Sequence, residues 1–456
     1  MWWHFFNDHN LFQIFANKNP PIIFVVFHYI GGGLMQEPFE ILSLLGIPLE
    51  KIKNYDCINW DKKESEIVLE LVDDRSACKY CNKTHLRIHG YYFVNINNSV
   101  IKGRFVNVRI RMRRYKCLSC GRTFKESFGF YKPYCKISRA VEILIKEDLK
   151  KKRTYSDIAL DYGISVNRVI QLFDQIGRIP RLSLTSTICV DEFHFSNQTH
   201  PKLKYPFVIS DPFKSNIIDV IESRTAPYLN EYFKGLSTLE RQKVKFFISD
   251  MNETYRNVKR VFFPDSIHVI DHFHIVKQFT EAIQKTRKNI MKSKKGENTK
   301  EYKFLKKYWK YFLVNRSRLK TFRTVDKYGV VQDWEIKIDA VLRQYPLLNA
   351  VYWAKEDFER EMLHKHYWNE TDQALSFFIR RFENSLIDEL VQIAKTLTNW
   401  KTEIINCYAK NINSFCLSNA IAEANNDNIQ TLIDLSYGLG NFQRLRNRVL
   451  YINRNN

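Results

Sequence analysis

No run of about 18 or more apolar residues occurs in the 456-residue sequence, so nothing in it is long enough to span a bilayer as a helix. The best candidate, Ile22 to Phe27, is interrupted by His28, preceded by Lys18 and two prolines, and lacks the small-residue cleavage site of a secretory leader. Glycine (15) and proline (12) are scarce, which excludes a fibrous repeat and argues against low-complexity disorder. Acidic residues are also in deficit. Lys and Arg number 71 against 49 Asp and Glu, a formal charge of +22 that is too large for an ordinary metabolic enzyme and suits a polyanionic partner. Apolar residues make up 45% of the chain, enough core for about three domains. A soluble, intracellular, polyanion-binding protein is expected.

Nine cysteines is an odd number, but four of them form two pairs, Cys78-Lys-Tyr-Cys81 and Cys117-Leu-Ser-Cys120. A C-x-x-C turn lets both thiolates reach one tetrahedral ion, and two such turns complete a structural Zn²⁺ site. Gly121 after the second pair suits the tight turn of a zinc knuckle. Between the pairs, Tyr91 to Ile96 and Phe105 to Arg111 alternate as strands, with a turn expected at Asn97-Asn98. The basic run containing Arg111, Arg113 and Arg114 beside the second knuckle suits contact with phosphates. Cys57, Cys135, Cys189, Cys407 and Cys416 read as small buried hydrophobes.

The organisation along the chain is uneven. Residues 1–34 are rich in Phe, His and Asn and show no period, so they are expected to be a spurious or disordered extension, with translation starting at Met35. Residues 35–130 are expected to form the zinc-binding module. Residues 131–180 change to a helical pattern, with Ser138, Thr154 and Ser165 placed to cap three helices and Gly163 in the turn between the last two. This is a helix-turn-helix pattern, and the outer face of its last helix offers Asn167, Arg168 and Gln171 to a DNA major groove.

Residues 186–280 read as three strands, a helix, a strand, a helix and a strand, the order of an RNase H-like domain. Asp191 with Glu192, Asp250 and Asp271 stand where strand runs end. Carboxylates at the carboxyl ends of buried strands point into the crevice where open α/β sheets hold ligands. Several of them together repel one another, and a divalent cation relieves this. Residues 281–410 are helical and cationic. Lys303, Lys306, Lys307 and Lys310 beside Trp309 and Tyr311 fit either DNA contact or a solvated face over an aromatic core.

The ordered set of motifs resembles insertion-sequence transposases of the ISL-three group, which carry a DDE catalytic core. The resemblance runs from Glu40 to Ile452. It rests on the paired knuckles, the helix-turn-helix, Val190-Asp191-Glu192-Phe193, Ser249-Asp250-Met251-Asn252-Glu253-Thr254-Tyr255 and Asp271-His272-Phe273-His274. Leu417 to Ala420, Glu423, Asn426, Tyr437-Gly438 and Asn441-Phe442 complete it. The resemblance implies a multidomain α/β protein: a zinc module, a helix-turn-helix, and an RNase H-like core (186–280 and 411–456) interrupted by an all-helical insertion (281–410).

It further implies that Asp191, Asp250 and Glu423 are catalytic and hold two Mg²⁺ (or Mn²⁺) ions, with Asp271 and His274 in support. Glu423 shares one helix face with Asn419, Asn426 and Gln430. Ala424 follows it where many relatives have Gly, and Gln430 stands where several have Lys. The implied activity is binding of the element's terminal inverted repeats, metal-dependent strand cleavage and strand transfer to target DNA. A homodimer or higher assembly, a bacterial cytoplasmic, nucleoid-associated setting and no membrane partner go with it. Two other readings fit the same residues: a DNA-binding regulator with an inactive RNase H-like core, and a nuclease acting on RNA–DNA hybrids.

Overall fold

The computed structural model describes residues 42–43, 45–58, 62–75, 77–196, 200–293, 299–319, 321–322, 324–325, 331–363, 366–410, 420–435 and 440–454. The expected extension 1–34, the start at Met35, and the motif residues Leu417, Ser418, Asn419, Tyr437 and Gly438 lie outside them. Within these bounds the chain is a mixed α/β protein of several parts, with two five-stranded sheets and sixteen helices. No helix among the described residues is long and apolar enough to cross a membrane.

The first sheet contains β1 (Ile52–Ile58), β2 (Glu64–Leu71), β3 (Leu86–Asn97), β4 (Phe105–Cys117) and β5 (Thr123–Lys125), in the order β1-β2-β4-β3 with β5 paired to β4. The chain divides into two compact units, and the long strands pass from one into the other. The smaller unit holds the described residues up to Tyr55 together with those of 69–92 and 111–130, and so the strand ends that carry the cysteine pairs. Asn97 ends β3 as expected, but β4 starts only at Phe105. A two-residue hairpin does not form because Asn98 and Ser99 are buried. The Ser138 hydroxyl donates to Asn98 Oδ1 at 2.5 Å, and the Asn97 side chain donates to the carbonyls of Tyr162 and Gly163.

In the larger unit, α1 (Arg139–Asp148), α2 (Tyr155–Tyr162) and α3 (Val166–Asp174) form a three-helix cluster. The Ser138, Thr154 and Ser165 side chains accept from the backbone N–H of Val141, Asp157 and Arg168, the bonds their spacing predicts. Removing such a cap costs about 1 kcal/mol. Gly163 ends α2 at φ +61°, and a Cβ there would meet the Phe105 ring at 2.6 Å. That position therefore requires glycine for both backbone and space.

The second sheet has β6 (Thr187–Glu192), β7 (Phe207–Asp211), β8 (Asn216–Ile221), β9 (Phe246–Ser249) and β10 (Ile267–Ile270), with α4 (Ala226–Lys234), α5 (Thr238–Gln242) and α6 (Glu253–Phe262) interleaved. Its spatial order is β10-β9-β6-β7-β8; β6, β9 and β10 run parallel, while β7 is antiparallel to its neighbours β6 and β8. β6 and β7 are buried along nearly their full length because both sheet faces are covered. Leu229, Phe233, Val258 and Phe262 pack on Ile188, Val190, Phe207 and Ile209 on one face. Val208, Ile217 and Val220 join the core of the three-helix cluster on the other.

Nine more helices follow: α7 (His272–Ser293), α8 (Lys300–Lys307), α9 (Arg316–Leu319), α10 (Trp334–Gln344), α11 (Pro346–Met362), α12 (Trp368–Glu383), α13 (Asp388–Asn399), α14 (Lys401–Tyr408) and α15 (Ala420–Leu435). With α16 (Phe442–Asn453) they complete the set. Helices α7 to α14 share one core that includes Phe279, Phe358 and Phe382, and Tyr311 stacks on Trp334 at 3.8 Å. Helix α16 is a clamp. Its Arg446 pairs with buried Asp219 of β8, and Arg448, 1% exposed, donates to the carbonyls of Leu149, Lys151 and Arg153 behind α1. Breaking a buried ion pair of the Arg446–Asp219 kind costs about 3–5 kcal/mol, because one charge is left uncompensated.

Candidate active site

Strand register places the three aspartates. Cys189, Ile248 and Val269 stand opposite one another on β6, β9 and β10 and form a small apolar row. Side chains two residues apart share a face, so Asp191, Asp250 and Asp271 form the next row at the carboxyl ends of three neighbouring parallel strands. The Asp271 N–H donates to the Ser249 carbonyl, which carries the ladder past the end of β10.

Burial governs the electrostatics of this row. Asp191 is 9% exposed, and its pKa is pushed up to about 7 by desolvation, with the charges of Glu192, Asp250 and Asp271 adding to it. Asp250 is also pushed up to about 7, by desolvation and then by Glu192, against the pull of Arg224 and Lys277. Asp191 is held in place: its Oδ1 accepts the Glu192 N–H at 2.8 Å and its Oδ2 accepts the Asn426 amide at 2.8 Å. Asp250 Oδ1, by contrast, is buried and accepts no hydrogen bond from the described residues. Two neighbouring carboxylates that ionise reluctantly, with a third beside them, fit the donor chemistry of a hard divalent cation.

Other groups surround the row; of these, the sequence points to Glu192 and His274 but gives Arg224, Ser249 and His268 no role. Glu192 takes both the Arg224 guanidinium and the Tyr255 hydroxyl, so its charge is already balanced and both carboxylate oxygens are engaged. Ser249 Oγ donates to the Asp250 carbonyl at 2.8 Å and lies 2.9 Å from His268 Nε2. Desolvation, reinforced by Lys259 and Arg256, pushes His268 down to about 3, so it is neutral at physiological pH. His274 Nε2 lies 3.9 Å from Asp271, and burial lowers its pKa too. Asn426 also had a sequence signal, since it shares a helix face with Glu423. Helix α15 carries Glu423, whose side chain lies outside the described residues; Asn426, one turn on, docks that helix against Asp191.

The cysteines form a second candidate centre. All four sulfurs lie within 4.8 Å of one another, with Cys78–Cys120 at 3.7 Å and Cys81–Cys117 at 3.6 Å. A tetrahedron with Zn–S bonds of about 2.3 Å has sulfur–sulfur edges of roughly 3.8 Å, so this set could bind zinc. The Cys120 and Ser119 N–H groups help hold the Cys117 thiol down to about 6. Cys81 is pushed up to about 11 by desolvation and its thiol neighbours, despite the Lys83 N–H. Against desolvation, Cys78 is lowered as well by the Tyr80 and Cys81 N–H groups, and a bound cation would favour the thiolate form of the whole set.

The residues expected to touch DNA diverge. Arg114, Asn167 and Gln171 are exposed. Arg111 stacks 4.1 Å over Tyr91 and lies 3.8 Å from Glu70. Arg168 is half-buried and donates to Gln171 Oε1 and Cys135 Sγ. Arg113 corrects the expectation. It is 5% exposed, pairs with Glu126 at 2.9 Å and donates to the carbonyls of Leu71 and Val72, so its charge is used inside the smaller unit. The alternation of β4 breaks at Met112-Arg113, both buried, and this phase slip turns Arg113 inward.

The profile of the ISL-three DDE transposase family, described as a transposase, matches residues 188–449, more than half of the chain and the whole interval from β6 into α16. The chain belongs to this transposase family. No curated protein matches it. In this transposase the matched interval begins on the strand of Asp191 and includes Asp250, Asp271, Asn426 and Glu423. Membership makes the protein a DNA-binding enzyme of the class that cuts and transfers DNA strands.

Proposed function

We propose that this transposase binds the terminal inverted repeats of its own element, cuts a strand at each end and joins the freed 3′-hydroxyl to target DNA. The second sheet, with strand order 3-2-1-4-5 and its first two neighbours antiparallel, is read as an RNase H-like core, and α1–α3 as a helix-turn-helix. Asp191, Asp250 and Glu423 would hold two Mg²⁺ or Mn²⁺ ions, with Asp271 and His274 beside them. Such ions supply charge neutralisation for the attacking and leaving oxygens of an in-line phosphoryl displacement.

The observation that carries this reading is the buried aspartate row at three adjacent strand ends, in which burial raises the pKa of Asp191 and Asp250. Asn426 fixes the Asp191 carboxylate and brings the Glu423 helix to it. Arg224 and Tyr255 occupy Glu192, which keeps that fourth carboxylate out of competition for the cation. The Ser249–His268 contact, with Ser249 on the Asp250 carbonyl, fixes the backbone from which Asp250 projects. The cysteine set is assigned a structural Zn²⁺. Exposed Arg114, Asn167 and Gln171, with Arg111 and Arg168, are assigned to reading the element ends as a homodimer or larger synaptic assembly.

The test is Mg²⁺-dependent nicking of linear DNA carrying the element's ends, by wild type and by Asp191→Ala. Cleavage by wild type alone supports the assignment, and equal cleavage by both overturns it. Binding without cleavage would replace it with a DNA-binding regulator.

A further inference from the structure

Helix α7 leaves the candidate active site at His272, directly after Asp271, and carries a stripe of cations away from it. Lys277, Lys285, Lys288 and Lys292 recur at helical spacing and line an open groove of about 780 Å³ with Thr280 and Gln284. At 1.5 Å per residue the stripe runs roughly 22 Å. Its near end is tied to the chemistry: the Lys277 charge acts on both Asp250 and His274. All four lysines are exposed. Lys285 lies 3.6 Å from Glu389, a loose pair, and Glu281 is the one acid in the lining.

Two features define the occupant: the row of exposed ammonium groups and the makeup of the lining between them. Among the described residues no aromatic side chain lines the groove, so there it lacks the stacking platform that single-stranded bases require, while its row of ammonium groups matches a phosphate backbone. A lysine stripe alone is often just a solvated helix face. This one differs because it starts at the carboxylates and lines a concave track.

We propose that the α7 groove is the path of the double-stranded DNA backbone leaving the cleavage site. Lys285, Lys288 and Lys292 would contact phosphates. The inference rests on the transposase reading of the carboxylate row but uses a different observable, the salt dependence of binding.

The experiment measures affinity for a short fluorescent duplex against KCl concentration for the full chain, a groove variant (K285S/K288S/K292S) and a charge-matched control on α4–α6 (K234S/K243S/R260S). The groove variant is expected to lower the slope of log affinity on log salt by about 3, at roughly 0.9 per lost phosphate contact, with the control at the wild-type slope. A wild-type slope in the groove variant, or equal loss in the control, overturns the proposal. A loss nearer 2, with tighter binding of a single strand, would assign the groove to a displaced strand and overturn the duplex assignment. If the triple variant melts early, Lys288→Ser and Lys292→Ser are read singly, each expected to lower the slope by about 0.9. Failure of wild type to cleave, with the slope loss intact, would count against the catalytic reading alone.

Discussion

The cysteine tip and the aspartate row both gather anionic ligands, yet they are built in opposite ways. The four thiols come from two short turns, and their sulfurs already lie at the edge lengths of a metal tetrahedron. The aspartates come from three strand ends far apart in sequence. Asp191 is held by Asn426 and Glu192 is engaged by Arg224 and Tyr255, while Asp250 Oδ1 accepts no hydrogen bond from the described residues. Local turns produce a closed site whose geometry could hold a structural zinc ion. Converging strand ends produce an open row in which burial suppresses the charge of Asp191 and Asp250, a state that the proposed hard cations would relieve.

Removing the metal from the tip should give the largest effect. Cys117→Ser is expected to abolish zinc binding and unfold the smaller unit, since structural zinc supplies about 10 kcal/mol or more in small zinc-binding folds. Metal content and amide exchange over residues 69–92 and 111–130 would report this; retained zinc with full protection would break the contrast.

Asp191→Ala is next, with DNA cleavage expected to fall by about 10³-fold or more while the fold persists, in line with several kcal/mol of lost charge stabilisation. Single-turnover cleavage with a matched melting curve is the measurement.

The suppressed charge predicts an inverse effect on stability. Asp250 rises from an ordinary value of 3.8 to about 7, so between about pH 4 and pH 7 the folded state holds a proton that the unfolded chain has lost. Stability of the Mg²⁺-free protein therefore falls as pH rises through that window. Asp250→Asn should lose activity yet be more stable than wild type above pH 7, by about 2 kcal/mol. Calorimetry at pH 4.5 and pH 8 decides it: the two proteins should converge at the lower pH and separate at the higher.

The smallest effect sharpens how the row is held. Asn426→Ala removes one hydrogen bond to Asp191 and should slow cleavage about tenfold without loss of DNA affinity. An unchanged rate would show that the α15 dock is structural only.

Much of this was legible in one dimension. The helix caps at Ser138, Thr154 and Ser165 and the strands of the second sheet follow from local chemistry and apolar runs, and they form where that chemistry predicts. Asp191, Asp250 and Asp271 could be picked out because each stands where an apolar strand run stops. The failures were equally physical. Arg113 reads as another cation in a basic run until a slip in strand phase buries it against Glu126. Glu192, Arg224 and Tyr255 carry no joint signal because they lie on three separate elements and meet only in the fold.

The sequence by itself determined the ligand types and their local spacing: two C-x-x-C turns, carboxylates at strand ends, lysines at helical period on α7. These are properties of neighbours along the chain, set by turn geometry and by the periods of strand and helix. Only the tertiary structure decided which charges are balanced, which are buried and which remain open. Those depend on desolvation and on partners such as Asn426 and Arg224, brought to the strand ends from elsewhere in the chain.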